Sequence, residues 1–214
     1  MSVERAIETI ENFQGHSLTG RLSVLEDEIK GANTQLVDAS RKVLNINADF
    51  MREAFLIKRI AGQINVVIHA AGILQSLPHL LEAEEVVESV SLGAGNTGKK
   101  FDLETNLRVA EYKFIDWKGG PESIRQNQLF KDFYALAEYD TPKKKYLYVL
   151  GTQHPLKFFE GKRALTSVLS RVPRMLKEIN ENYGNDVCVV RDYFELMRDK
   201  VSIRDIRRYI ETDL

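Results

Sequence analysis

The chain has 214 residues, 43% of them hydrophobic and 29% charged, with a net charge of −1. That balance supports a packed core and excludes a disordered or fibrous protein. A single cysteine excludes an internal disulfide framework and a cysteine metal cluster; Cys188, in the apolar run DVCVV, reads as a buried, inert thiol in a reducing, cytoplasmic compartment.

The N-terminal stretch MSVERAIETIENF is acidic and amphipathic and lacks the apolar run of a signal peptide. Leu22, Leu25, Ile29, Ala32, Leu36, Ala39, Val43, Ile46 and Phe50 then alternate three and four apart. This spacing predicts one helical stripe over residues 22–50, bent where Gly31 interrupts it, that either packs on its own domain or forms a coiled-coil-like surface for a homodimer or a protein partner. Residues 60–81 carry no Asp, Glu, Lys or Arg. Although long enough to cross a bilayer, the run contains Gln63, Asn65, His69, Gln75, Ser76, Pro78 and His79, so the expectation is a buried helix over 53–77 that ends near Pro78, with no membrane involved.

EAEEVVES leads to the glycine-rich loop GAGNTGKK, after which alternation in FDLET and RVAEYKFIDW predicts two strands joined through Asn106. Ser123 is the predicted N-cap of a helix over IRQNQLFKDFYALAEY, and KYLYVLG reads as a buried strand. A long helix follows from Arg163 to Tyr183 with a kink at Pro173, then a strand over DVCVVRDYF. Ser202 caps a last basic helix, IRDIRRYI. The expected architecture is therefore α/β: a helical segment over 1–60 and, over 61–214, a mixed sheet flanked by helices.

Two chemistries compete for residues 93–113. Gly93, Gly98 and Lys99 match a phosphate-binding loop, but Lys100 stands where a Ser or Thr would bind magnesium. Such a loop must also open a helix, whereas FDLET alternates like a strand. The second chemistry starts from strand parity. Glu111 and Lys113 share one face of their strand, with Ala110, Tyr112 and Phe114 on the other, and Asp102 lies on the preceding strand. The chain contains four acid-x-Lys triplets, and only this one sits in an apolar strand beside an acid-bearing one. Carboxylates and an ammonium gathered on one face are costly unless paired or bound to metal.

Asp102, Glu111 and Lys113, followed by a helix and another strand, resemble the PD-(D/E)xK (restriction-endonuclease-like) nuclease superfamily over roughly residues 64–195. The family's proline is replaced by Phe101. The resemblance implies that Asp102, Glu111 and the Tyr112 carbonyl hold Mg²⁺, with Mn²⁺ as a substitute, and that Lys113 serves the attacking water. It also implies a glutamate on the helix before the first strand, with Glu88 the candidate and Glu85 the alternate. A glutamine on the following helix would join the site, either Gln126 on the face of Phe130 and Phe133 or Gln128. The expected activity is hydrolysis of DNA or RNA phosphodiesters; the alternative is a non-catalytic nucleic-acid-binding or assembly protein on the same fold.

The charge distribution is compatible with either. Residues 1–98 hold 8 Lys+Arg against 13 Asp+Glu, and residues 99–214 hold 22 against 18. A basic surface for phosphates therefore falls in the second half, with Lys118, Arg125, Lys131 and Lys143–Lys145 as candidates and Trp117 placed to stack on a base.

Overall fold

The structure is a computed structural model that describes residues 2–93, 98–117 and 122–210. The chain divides into two compact units, residues 1–65 and 66–214. The phosphate-loop residues 94–97 and Lys118 lie outside the described residues.

The first unit holds α1 (Val3–Gln14), α2 (Leu18–Ile29), α3 (Thr34–Val43) and the start of α4 (Ala48–Leu80). The expected single stripe over 22–50 does not form. Capping chemistry outweighs the heptad spacing: the Ser17 hydroxyl accepts from Gly20 N at 3.2 Å, Asn33 Oδ1 from Leu36 N at 3.0 Å and Asn47 Oδ1 from Phe50 N at 2.9 Å. Each cap opens a new helix. Between them the chain turns through left-handed backbone at Gly31 (φ 76°) and Asn45 (φ 54°), conformations that end a helix. Stripe residues Leu22, Ile29, Leu36 and Val43 are all exposed.

α4 is longer than expected, running from residue 48 and passing through Pro78 in its final turn. By length and composition it could cross a bilayer. In the second unit, however, Ile73 and Ser76 are buried, and Ile73, Leu77 and Leu80 pack against the sheet.

That sheet is mixed and five-stranded, in the order β1 (Val87–Val90), β2 (Leu103–Thr105), β3 (Arg108–Lys113), β4 (Lys144–Val149) and β5 (Ser202–Asp205). The first three strands are antiparallel neighbours, while β3–β4 and β4–β5 are parallel. α5 (Ser123–Glu138) makes the parallel crossover from β3 to β4. α6 (Gln153–Phe159), α7 (Leu165–Val168), α8 (Pro173–Tyr183) and α9 (Val190–Met197) precede β5, and α10 (Arg207–Ile210) follows it.

Strand parity divides the second unit into two cores. Ala110, Tyr112, Leu103 and Tyr148 face α4, whereas Val109, Leu147 and Val149 face Phe130, Phe133 and the helices after β4. Four expectations give way here. VES in EAEEVVES pairs with β2 as an edge strand. Ser123 is the first residue of α5, with Glu122 in the cap position. Pro173 starts α8, where its missing N–H costs nothing, instead of kinking a longer helix. The fourth concerns both ends of the expected last pair of elements. DVCVVRDYF is not a strand, because Asp192 Oδ2 accepts from the backbone N–H of Cys188 and Val189 at 3.0 and 2.9 Å and opens α9 instead. Cys188 is consequently exposed. Residues 202–205 take the free edge of β4 in parallel register, Tyr146 opposite Ser202, rather than forming a helix.

Candidate active site

The β2–β3 hairpin brings the acids together. Leu103 lies opposite Ala110 and Glu104 opposite Val109, with Thr105 Oγ1 closing the turn by accepting from Leu107 N and Arg108 N at 3.0 and 2.9 Å. This register carries Asp102 to the far end of the hairpin, beside Glu111 and Tyr112. Asp102 Oδ2 accepts from Tyr112 N at 2.9 Å. In an antiparallel strand a residue's N–H and C=O project toward the same neighbour, so the Tyr112 carbonyl is directed to the Asp102 side as well.

Asp102 Oδ1 lies 3.3 Å from His69 Nε2 on α4, and that nitrogen is also 3.2 Å from the Ser91 carbonyl. Both partners are acceptors, so the hydrogen-bonding pattern assigns the proton to Nε2. The histidine is seated by its edge-on contact with Phe114, whose ring approaches so closely to α4 that a Cβ at position 72 would lie 2.3 Å from it. Gly72 is what allows the two elements to meet.

Glu111 and Lys113 project from the other face of β3. Lys113 Nζ stands 3.2 Å from Glu111 Oε2 and 3.0 Å from Asp132 Oδ2 on α5. Asp132 Oδ1 accepts from Gln128 Nε2 at 2.8 Å. The side chains of Asp102, Glu111, Lys113 and Asp132 are each 12–17% exposed, so little water screens them. Two carboxylates thus pair with one ammonium, and the charge of Asp102 acts on it as well.

The protonation equilibria follow from that imbalance. Burial, reinforced by the charges of Asp102 and Asp132 and opposed by Lys113, pushes the Glu111 carboxyl up to about 8. Burial also raises Asp132, against the pull of Lys113 and Gln128. For Asp102 burial acts upward too, but the His69 hydrogen bond, the Lys113 charge and the Tyr112 N–H together hold the carboxyl below its ordinary value. Lys113 is the reverse case: burial disfavours its charge, and the three acids more than compensate, leaving it above its ordinary value. Lys113 is thereby held as a cation rather than poised as a base, while the Glu111 carboxyl is shifted toward neutral pH.

Several expected participants are elsewhere. Glu88 is on β1, not on a helix, and pairs with Lys143 at 2.6 Å; Lys143 also holds Glu104 at 2.9 Å. Glu85 is fully buried against Arg108, so neither glutamate is free for a metal. Gln126 turns away, accepting from Arg163, and Gln128 takes the place expected for it beside the acids. Of the cations proposed for phosphates, Arg125 pairs with Glu122, Lys143 with Glu88 and Glu104, Lys144 with Glu82, and Lys145 donates to the Ala137 carbonyl. Lys99 of the glycine-rich loop donates to the Val90 carbonyl, and the chain beyond it enters β2 rather than a helix.

His69 and Asp132 were invisible to motif spacing. The available signal was periodic: His69 lies one helical turn before Ile73 on the sheet-facing side of α4, and Asp132 lies between Leu129 and Phe133 on the buried side of α5. Among the described residues no group of three or more His, Cys, Asp or Glu side chains converges with metal-binding geometry. Two carboxylates and a carbonyl make a different donor set, one suited to a hard cation that retains several waters. The chain is thus a mixed α/β protein with a buried, acid-rich cluster at one end of a β-hairpin. Compared with known proteins, it matches no family model, no curated protein and no solved structure.

Proposed function

We propose that the chain is a metal-dependent nuclease built on a restriction-endonuclease-like core. The observation that supports this reading is the gathering of carboxylates about one ammonium at the end of the hairpin, where Lys113 pairs with both Glu111 and Asp132 and burial with neighbouring acids pushes the Glu111 carboxyl up. Asp102, Glu111 and the Tyr112 carbonyl are the residues that would hold Mg²⁺ or Mn²⁺. When bound, such an ion makes a water more acidic and offsets charge on the phosphate. His69 and the Tyr112 N–H orient Asp102. Lys113, held charged between Glu111 and Asp132, is placed to bind a phosphate oxygen or orient water, and Gln128 fixes Asp132. The succession of acid-bearing strand, acid-x-Lys strand, helix and strand supports the core assignment.

The direct test incubates the protein with single- and double-stranded DNA and RNA, linear and circular, in Mg²⁺ or Mn²⁺, beside Glu111→Ala and Glu111→Gln. Cutting lost in both variants, by at least about 100-fold given the size of metal and general-acid effects, is the expected result. Equal or absent cutting by all three proteins overturns the proposal.

A second reading has its own support. Lys113 is already ion-paired with two carboxylates, an arrangement that needs no metal. On that reading the protein binds nucleic acid without cutting it. Binding that is salt-sensitive and unchanged by EDTA, with no stoichiometric Mn²⁺ uptake by calorimetry, would establish it in place of the first.

A further inference from the structure

Beyond Lys113, the chain continues through Ile115 to Trp117, which lines a cavity of about 420 Å³. Its walls carry Lys157, Lys162 and Arg163, and no Asp or Glu lines it among the described residues. Lys157 and Lys162 are exposed, and neither makes an ion pair within the described residues. Arg163 is held by two neutral acceptors, Gln126 Oε1 and Ser167 Oγ, so its position is fixed while its charge remains unneutralised. The half-buried Trp117 supplies an aromatic wall, with the rings of His154 and Phe158 centred 6.3 and 6.4 Å away.

Three cations with no lining acid select an anion, and the aromatic wall selects a flat ring attached to it. A cavity of this size lies in the ordinary range for small-molecule sites. Trp117 follows Lys113 by four positions, so their Cα atoms lie within about 14 Å of each other. A narrower cavity of about 30 Å³, lined by Lys113, Arg125, Gln128 and Trp117 among others, lies between the acid cluster and the aromatic wall. That space holds about one water and is too small for a base.

We infer that the larger cavity is a subsite for one nucleotide of a single-stranded nucleic acid, its base against Trp117 and its flanking phosphates on Lys157, Lys162 and Arg163. A base inside this cavity is unpaired, so an intact duplex is excluded from it. The choice of a polymer over a free nucleotide rests on the nuclease reading, because the cavity adjoins the cluster assigned to cleavage.

Trp117 is the only tryptophan in the chain, so tryptophan fluorescence, excited selectively over the eight tyrosines, reports on the surroundings of this one side chain. The experiment titrates the full chain, in EDTA, with a short single-stranded oligodeoxynucleotide, the matching duplex, deoxyadenosine monophosphate and inorganic phosphate. The expected result is a saturable change with the single strand that is at least about 10-fold tighter than with the other three. Each phosphate contact contributes about −0.7 to the slope of log affinity against log salt, so three cations give about −2, and Lys157→Ala or Lys162→Ala each brings it to about −1.4. Trp117→Phe, followed by anisotropy of a labelled strand, weakens binding by roughly 5-fold or more, in keeping with base–aromatic stacking. Equal binding of the mononucleotide, the duplex or phosphate overturns the inference, as does the absence of a saturable change.

The two readings fail separately. Metal-dependent cutting without fluorescence-detected binding removes the subsite and leaves the nuclease, whereas binding in EDTA without cutting under Mg²⁺ or Mn²⁺ removes the nuclease and leaves the subsite.

Discussion

At the scale of single residues, the most informative group is Glu111, because its protonation registers the local charge balance. Burial and two neighbouring carboxylates raise it from an ordinary 4.5 to about 8. Between those values the folded chain holds a proton that the unfolded chain has released. Stability therefore falls as pH rises through about 4.5 to 8 and levels off above it. Glu111→Gln removes the titration, so the variant should be more stable than the parent above pH 8, by roughly 1–3 kcal/mol, and closely similar to it near pH 5. Urea unfolding at pH 5, 7 and 8.5 measures the difference. Parallel pH profiles for the two proteins would mean that Glu111 titrates as a solvated carboxyl and that no acid excess exists. The same cluster shows where residue-level reading reached its limit. The shared face of Glu111 and Lys113 follows from alternation, which is local. Asp132 and His69 join through packing of α5 and α4 on opposite faces of the sheet, and no spacing rule links them to residues 102–113.

Elements were legible in proportion to how much their local pattern agreed with their tertiary surroundings. FDLET, RVAEYK and KYLYV alternate because each has one face toward α4 and one toward α5, so their periodicity survives into the fold. β1 and β5 lie at the two edges of the sheet, and their residues are mostly exposed, so neither carries a buried alternation to detect. In the first unit, a heptad spacing and three capping side chains gave contradictory instructions, and the caps prevailed since each removes an unsatisfied backbone donor. The contact of α4 with the end of β3 yields a test at this scale. Gly72→Ala gains about 1 kcal/mol of helix propensity. It also sets a methyl group 2.3 Å from the Phe114 ring, which must then move away from His69 and Tyr112. Overpacking of this kind costs about 1–3 kcal/mol, so a net loss of about 1 kcal/mol is expected. Phe114→Leu in the Gly72→Ala background should recover part of it. Thermal unfolding of the single and double variants decides the matter: a stabilised Gly72→Ala protein would show that α4 and β3 do not meet as described.

Across the second unit as a whole, two buried charge clusters stand at opposite ends of β3, and they differ in balance. At the start of the strand, Arg108 is matched by Glu85, whose side chain is fully buried, and is further held by Tyr148 Oη at 2.9 Å and by the Tyr146 ring at 5.1 Å. Glu85 also accepts from Thr105 Oγ1 at 2.6 Å, so this network joins the segment before β1 to β2, β3 and β4. At the strand's far end, acids outnumber cations. The balanced cluster ties elements of the fold together, and the unbalanced one is where the nuclease reading proposes a cation. Burial opposes ionisation of Glu85, but Arg108, the Glu82 N–H and Thr105 hold its carboxyl below the ordinary value; the pair's contribution is thus complete at neutral pH and is lost as pH falls through that lowered value. Arg108→Ala leaves Glu85 buried and unpaired and should cost about 3–5 kcal/mol. Replacing both, as Arg108→Met with Glu85→Leu, removes the orphaned charge and should restore most of that loss. If the nuclease reading holds and the two ends have separate roles, Mn²⁺ should raise the Tm of the parent and of the double variant alike, and Asp102→Asn should abolish that rise. A double variant that folds to parental stability yet no longer responds to Mn²⁺ would show instead that the two ends of β3 form one functional system.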